Sequence, residues 1–567
     1  MSVQQEDSMF IRMTKNKRGI NYYHLVESYR NEEGKNRQKI LLSLGTEFDH
    51  KLNELANSIA KYLDIPSLKT IEENLDIEKA YILGPLLLVQ KIIQKLGISE
   101  ILDKIAEEHP RLGFNLSELV FTMIACRFIS PCSKLRIHDY WLDQFYPQMV
   151  NSKIELHQLY RALNLLYSHK DSIETELLAI RKKRLKLPID VVLYDLTTLR
   201  FESTCNEEGK LRQFGYSKEK RSDCTQVVLG LLVDPEGMPL GFEVFPGNTF
   251  EGSTIHEMTK KIRDKFAVRR FIFVGDRALF SDKNFKELEE SKAEYVIGMK
   301  LALFKQKADE FYDINRFTFT SADWAFYETK HDERRCVITW SKDRAARDKK
   351  VREDILSKIG KKINSKKVTA KTFISNSNYL KYINGTNTGH PVINQQAIDN
   401  EAKKDGFFGI ITNIKEKDSN ELISIYKSLW IVEDAFGELK GFLKTRPIYH
   451  WTDKRIIGHI MVCFLAYLCE SYMTKVLREQ KINLLSKSIE NGKIEERPLT
   501  VAMAINDLKA LMAIPVSLTD RTIWVSTNVP ENAKKLFDAL KIKSPTKILK
   551  IENKTSTVVH TKQEKNR

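Results

Sequence analysis

Apolar positions recur with a two-residue period at the start of the chain. Residues 10–44 alternate around the turn NEEGK (31–35) and predict a β-hairpin that carries Arg30, Lys35, Arg37 and Lys39. From 50 to 185 the period becomes helical: Leu86, Leu87, Ile92 and Leu96 share one face, and Leu156, Leu159, Leu163 and Leu166 another. This block ends in the basic run RKKRLK (181–186), which reads as a solvated helix end or as a DNA contact. The texture then changes. VVLYDLTT (191–198) is a β-branched run of strand length, and 226–245 reads as two strands joined by the turn DPEG. A helix follows over 253–266 with Ser253 as its cap, then a strand at 271–276, a helix at 282–290 and a strand at 294–299. This order predicts a mixed α/β sheet.

The alternation is interrupted from 301 to 404, where strand-like segments over 317–341 give way to a very basic helix and a polar stretch. FFGIITNI (407–414) resumes the sheet, and DSNE (418–421) has capping-box spacing, with Asp418 as N-cap and Glu421 three residues later. The helix it opens runs through YKSLWIVEDAFGELK (426–440). At about 100° per residue, Ile425, Leu429, Val432, Phe436, Leu439 and Leu443 cluster within about 80°. Glu433 sits at the edge of that stripe, with Tyr426 and Lys440 two turns away in nearly the same direction. A long apolar helix (455–477) follows, and the Lys-rich tail (542–567) is predicted to be disordered. The expected regions are a hairpin (1–48), a helical region (49–187), a sheet domain (188–300 and 405–480), an insertion (301–404) and a C-terminal region with a basic tail (481–567).

Composition changes the picture mainly through charge. With 42% hydrophobic and 29% charged residues, the chain is ordinary for a globular protein, and 567 residues suffice for several domains. Lys+Arg 91 against Asp+Glu 75 gives +16, which favours a polyanionic partner such as nucleic acid over general solubility charge. The seven cysteines form no CxxC pair and read as reduced thiols of a cytosolic protein. The apolar stretches 81–89 and 456–468 fall short of a bilayer span, and no signal peptide is expected.

Two strands hold carboxylates that an apolar interior does not accept cheaply: Asp195 lies inside VVLYDLTT, and Asp276 closes FIFVGD. Each alone is an ordinary cap or turn residue. With Glu433 they belong to elements of one sheet, and strand ends of open α/β sheets are where ligand sites collect. Three carboxylates without Cys or His suit Mg²⁺ or Mn²⁺, and a pair of such ions supports phosphodiester chemistry. No GxxxxGK[ST] loop, HExxH or GxSxG elbow is present, and His256, His450 and His459 fall into no ligand spacing.

These motifs, in this order, resemble the DDE transposases of bacterial insertion sequences. The likeness is to the superfamily named after insertion sequence four, with its Tyr-x2-Arg-x3-Glu-x6-Lys signature. Here the signature positions are Tyr426, Leu429, Glu433 and Lys440, while YDLTT at Asp195 and VGDR at Asp276 match the first two acids. The segments 215–249 and 444–451 look similar too, and the resemblance covers about 190–475. It implies a ribonuclease-H-like fold with a β-rich insertion and catalysis by Asp195, Asp276 and Glu433 holding two Mg²⁺ (Mn²⁺ as an alternative). It also implies double-stranded DNA as partner, at transposon ends and target, and a homodimer or larger synaptic complex in the nucleoid-containing cytoplasm. Tyr426 and Lys440 would grip phosphates, and Lys218, Lys220, Arg221 and Arg277 would form a DNA-binding strip. The regions 1–48 and 49–187 become candidates for DNA binding, the latter also for dimerisation. Trp324 and Trp340 would either stack on an unpaired base or pack in the core. Leu429 departs from the signature arginine, leaving Lys427 or Arg446 to supply that charge, and Ala278 replaces the usual glycine. Two alternatives remain: a nuclease on the same fold that joins nothing, and an idle DNA-binding descendant.

Overall fold

The computed structural model describes residues 8–17, 19–31, 34–46, 54, 58, 79–185, 191–202, 209–215, 223–250, 253–265, 271–363, 377–384, 392–487, 494–518 and 521–549. The chain divides into two compact units, Met1–Ile82 with Leu511–Asn528 and Pro545–Arg567, and Leu83–Ala510 with Val529–Ser544. In the first unit, β1 (Ser8–Lys15), β2 (Asn21–Arg30) and β3 (Asn36–Gly45) form an antiparallel sheet. The expected hairpin is therefore a three-stranded meander. Its extra turn lies between β1 and β2, where Gly19 takes φ +80 and donates its N–H to Asn16 O at 3.0 Å. The same unit holds an antiparallel sheet in the order Ile548–Leu549, Arg521–Ser526, Met512–Leu518 and β4 (Tyr81–Ile82). Part of the tail expected to be disordered is thus a strand, and 550–567 lie outside the described residues.

The second unit opens with helices α1 (Gly84–Lys95), α2 (Ile98–Glu107), α3 (Leu116–Ile129), α4 (Leu156–Ser168) and α5 (Lys170–Ile180). Its sheet has nine strands. They are β5 (Val191–Arg200), β6 (Gln226–Val233), β7 (Pro239–Pro246), β8 (Ile272–Gly275), β9 (Glu294–Gly298), β10 (Thr318–Ser321), β11 (Trp324–His331), β12 (Arg334–Ser341) and β15 (Phe407–Thr412). The two-residue strands β13 (Ile383–Asn384) and β14 (Val392–Ile393) pair separately. The order across the large sheet is β10-β11-β12-β15-β9-β8-β5-β6-β7. Only β5·β8 and β8·β9 are parallel, so the sheet is mixed, as the alternation of elements predicts. The strands at 317–341 are hydrogen-bonded into this same sheet through β12 and β15.

Every residue of β6 is buried, which explains why its sequence is a continuous apolar run instead of an alternation. One face carries α6 (Ile255–Lys260) and α7 (Asp282–Glu290): Ile255, Met258, Phe285 and Leu288 join Val192, Tyr194, Phe273 and Ile297 in one core. The sequence places the first of these helices from Ser253. The structure starts it at Ile255 with Thr254 at the cap position, because the Ser253 hydroxyl donates to the Phe250 carbonyl at 2.8 Å. From Lys342 the chain continues as α8 (Lys342–Ile363), and after β15 as α9 (Ser419–Lys427), α10 (Trp430–Lys440) and α11 (Asp453–Glu479). The capping box of α9 forms as expected, with both Asp418 and Glu421 engaged.

Helix α11 is 27 residues long and is the one helix among the described residues that is apolar enough by length to cross a bilayer. Length therefore does not exclude a span, contrary to the sequence reading. Instead, 94% of its apolar window is buried inside the protein, against α3, α4 and the sheet, with Phe464 5.3 Å from Phe242 of β7. Gly458 makes the closest approach possible: a Cβ there would lie 2.1 Å from the Leu163 carbonyl oxygen of α4. The basic run after α5 is only partly a solvated end. Arg181 is buried in an ion pair with Asp234, the first residue of the DPEG turn.

Candidate active site

Strands β5 and β8 run parallel with Val191 opposite Ile272 and Leu193 opposite Val274. The pairing ends there; Asp195 lies two residues further along β5, on the same face as Leu193, and Asp276 follows the last residue of β8. Asp195 is half-buried, with Leu231 of β6 opposite its backbone on the other side. Asp276 ends its strand and caps the short turn Arg277–Leu279, its Oδ1 accepting the Ala278 N–H at 2.8 Å. One carboxylate oxygen is thereby held by the backbone.

Glu433 lies in the first turn of α10. The sequence predicts one helix from Asp418 through Lys440, but the structure has two, joined at Ser428 and Leu429. There the bonds tighten to three-residue spacing: Leu429 N–H to Tyr426 O at 3.0 Å, and Val432 N–H to Leu429 O at 3.1 Å. The apolar stripe survives the joint, since Leu429, Val432, Phe436, Leu439 and Leu443 are all buried while Ile425 is half-buried. It docks α10 against β5 and β6 and leaves Glu433 exposed.

Asp276 and Glu433 line one cavity of about 730 Å³. Its floor is apolar, formed by Phe408, Ile410, Ile423 and Leu429, and its walls carry Arg277, Arg344, Arg347 and Lys427 together with Asp323 and Asp343. Tyr426 lines the same cavity and feels the charges of both the acids and the cations, its ring 4.9 Å from that of Phe408. Gly298 of β9 makes the room: a Cβ there would lie 2.6 Å from Tyr426 Oη and 2.9 Å from Arg277 Cγ. Burial, reinforced by the charges of Asp276 and Glu433 and opposed by Arg277 and Arg344, pushes the Tyr426 phenol up to about 12. It is a neutral hydrogen-bond donor at physiological pH. Arg344 comes from the first turn of α8, three residues beyond the end of β12, and lies 4.8 Å over the Phe408 ring. Burial, together with Arg277 and Arg347, holds it below the ordinary arginine value, although Asp348 opposes this. Lys427 rests its ammonium 4.2 Å from the Trp324 ring.

The expected residues divide accordingly. Asp276, Glu433, Tyr426 and Arg277 line the cavity, whereas Asp195 approaches from the neighbouring strand without lining it. Lys440 ends α10 half-buried and does not line the cavity. Lys218, Lys220 and Arg221 lie outside the described residues. Leu429 is 7% exposed and forms part of the apolar floor. Of the two cations considered in place of the signature arginine, Lys427 faces the cavity and Arg446 does not. Trp340 packs against the main core, whereas Trp324 opens onto the cavity. His450 and His459 are buried packing residues; burial first, and then the nearby Lys134, push His450 down to about 3. Sequence reasoning noticed the basic helix after β12 but not Arg344 and Arg347 individually. Their three-residue spacing in KDRAARDKK, which puts both on one helix face, was the available signal.

The donors facing the cavity are carboxylate and hydroxyl oxygens, with neither Cys nor His among them, which fits a hard divalent cation. Among the described residues, the groups whose three donor atoms all lie within 4.8 Å of one another are found elsewhere.

Residues 186–469 match the family model of the transposase DDE domain, half the chain and all strands of the large sheet. The chain belongs to the DDE transposases. Residues 11–70 match the model of the IS1634 family transposase N-terminal domain, which indicates a transposase of a bacterial insertion sequence. Among solved structures, the chain is similar to piggyBac transposase in a synaptic complex with hairpin DNA. The two are 9% identical with a TM-score of 0.37, over 76% of this chain and 82% of that one. No curated protein matches the sequence.

Proposed function

We propose that this transposase cleaves DNA strands at the ends of its insertion sequence and joins the freed 3′-hydroxyls to target DNA, on a ribonuclease-H-like sheet. In this reading Asp195, Asp276 and Glu433 are the catalytic carboxylates and hold two Mg²⁺, with Mn²⁺ as a substitute. The observation that carries it is the convergence of two independent placements. The parallel pairing of β5 with β8, continued past its last pair Leu193 and Val274, would bring Asp195 toward Asp276, and Asp276 shares one cavity with Glu433 and several cations. When bound, such ions supply activation of the attacking oxygen and stabilisation of the charge on the leaving one.

The chain's own side chains do the rest. The neutral phenol of Tyr426 donates to a non-bridging phosphate oxygen beside the carboxylates. Arg277, Arg344 and Lys427 neutralise the strand that lies across the cavity, and Lys427 does so from a position fixed on Trp324. Leu429, Ile423 and Phe408 exclude water from the floor and so strengthen these charge interactions. Lys440, Lys218, Lys220 and Arg221 extend the phosphate contacts along the DNA, with the N-terminal regions 1–48 and 49–187 and the insertion 301–404 gripping the end sequence. Holding two ends at once requires a dimer or larger assembly, acting on the nucleoid.

The test is cleavage and strand transfer by the full chain with donor-end DNA and Mg²⁺, comparing wild type with Asp276→Ala and Glu433→Gln. Loss of both cut and joined products in the variants, with DNA binding retained, is the expected outcome. Strand transfer retained in both variants overturns the assignment. Cleavage without joined products in the wild type identifies a nuclease instead, and DNA binding without any product identifies an idle descendant.

A further inference from the structure

Away from the cleft, two helix ends bring three ligating side chains together. Glu108 and His109 follow the last turn of α2, and His169 is the single residue between α4 and α5. The two Nε2 atoms of His109 and His169 are 3.0 Å apart, with the rings nearly perpendicular at 84°. Glu108 Oε2 lies 3.8 Å from His169 Nδ1, and one donor atom from each of the three residues falls within 4.8 Å of the others. Two imidazole nitrogens this close cannot both carry a proton. At least one therefore turns a lone pair toward the other, and ligation by both requires the remaining proton to leave to solvent or to the opposite ring nitrogen as the metal binds.

A tetrahedral ion bound at about 2.05 Å would separate the two nitrogens by about 3.3 Å, so the pair needs to open only by a few tenths of an ångström. The backbone that carries them is fixed. His109 N–H donates to Ala106 O at 3.0 Å, and Leu112 N–H donates to His109 O at 2.9 Å. His169 N–H reaches Leu165 O at 3.0 Å, and Ile173 N–H reaches His169 O at 2.9 Å. An ion pair of 2.7 Å between Lys104 and Glu176 ties α2 to α5 beside the cluster. Both histidines are half-buried. The adjoining groove of about 590 Å³ has room for a water to complete the ligand shell. That groove also carries Arg111, Arg161 and Lys454, so a cation is accepted only with the compensating charge of Glu108.

We propose that Glu108, His109 and His169 form a Zn²⁺ site that staples the end of α2 to the corner between α4 and α5. Imidazole donors select zinc over Mg²⁺, so this site differs in chemistry from the all-oxygen cavity. No step of the strand chemistry passes through it, so its failure leaves that reading untouched.

The test uses the full chain, stripped with a chelator and titrated with Zn²⁺. Bound metal is measured by elemental analysis, thermal stability is followed in parallel, and Mg²⁺ serves as the control ion. Wild type should retain about one zinc per chain after gel filtration, and zinc should raise its melting temperature where Mg²⁺ does not. His109→Ala and His169→Gln should each lose that zinc and the stabilisation, while Asp276→Ala keeps both. Glu108→Gln, an exposed change that spares folding, should weaken binding at least about tenfold. Zinc retained equally by His109→Ala and His169→Gln, or absent from the wild type, overturns the site.

Discussion

Two groups of charged residues in the larger unit use the same side chains to opposite ends. In one, Lys170 and Lys261 meet Glu174 and Glu243 between α5, the segment after α6, and β7. Lys261 Nζ lies 2.7 Å from Glu243 and also donates to the Phe242 carbonyl at 2.8 Å, while Glu174 accepts the Phe242 N–H at 3.0 Å. Glu174 is fully buried and Lys261 nearly so. Burial alone would push Glu243 up, but the two ammonium groups outweigh it and hold its carboxyl below the usual range. The other group is the cleft, where Asp276, Glu433, Arg277, Arg344 and Lys427 face open space across a cavity. Charges that close on each other fix the fold. Charges left facing a cavity wait for something outside the chain.

The comparison can be broken most severely at the cleft. Asp276→Asn should reduce strand cleavage at least about 10⁴-fold, equivalent to about 5.4 kcal/mol of barrier, with an unchanged melting temperature. A comparable loss of stability would mean that Asp276 is structural after all. The reverse pattern is expected for Glu174→Ala, which leaves two buried ammonium groups with Glu243 and the largely exposed Asp171. Chemical denaturation should show a loss of about 3–5 kcal/mol, and the protein that remains folded should cleave DNA at the normal rate.

Lys134 sharpens the contrast, because it is a buried amine with no carboxylate partner among the described residues. Its Nζ lies 3.2 Å from Nδ1 of His459, whose Nε2–H donates to the Thr445 carbonyl at 3.1 Å. Burial, followed by the repulsion of Arg127, lowers Lys134 from 10.5 to about 7. Between those values the unfolded chain binds more protons than the folded one, so stability rises with pH across the window from about 7 to about 10.5. Unfolding curves of wild type and Lys134→Met at pH 7 and pH 10 should differ in slope, the variant losing a rise on the order of 3 kcal/mol. Equal slopes would place the charge elsewhere. The smallest expected effect is that of Tyr426→Phe. Removing one neutral donor should slow cleavage about tenfold, or about 1.4 kcal/mol, with end-DNA affinity nearly unchanged.

Much of this was legible in the sequence, for identifiable reasons. β-Branched runs mark β5, β6 and β8, and a lone carboxylate in such a run draws attention because hydrophobic neighbours do not solvate it. Asp195 and Asp276 become candidates in this way, and Glu433 by its place at the edge of the stripe that docks α10. The joint at Ser428 and Leu429 is not, because both residues keep helical dihedrals and the apolar period runs through it. The third N-terminal strand was hidden by a single turn that periodicity alone does not weight. The cationic wall is the deepest omission. Arg344 meets Tyr426 only because β12 pairs with β15 and β15 with β9, a chain of long-range pairings that no local pattern records.

That pairing has a mechanical consequence. Six residues of β12, from Arg335 to Trp340, are laddered to β15, and α8 starts immediately where β12 stops. The arm bearing Arg344 and Trp324 is thus cantilevered from the same rigid plate that carries Asp195 and Asp276, instead of hanging from a hinge. To swing it away, the ladder would have to unzip. If DNA binds here as proposed, it would meet a gap of preset width, and accommodation would fall to side-chain rotation and to the bending of the DNA itself.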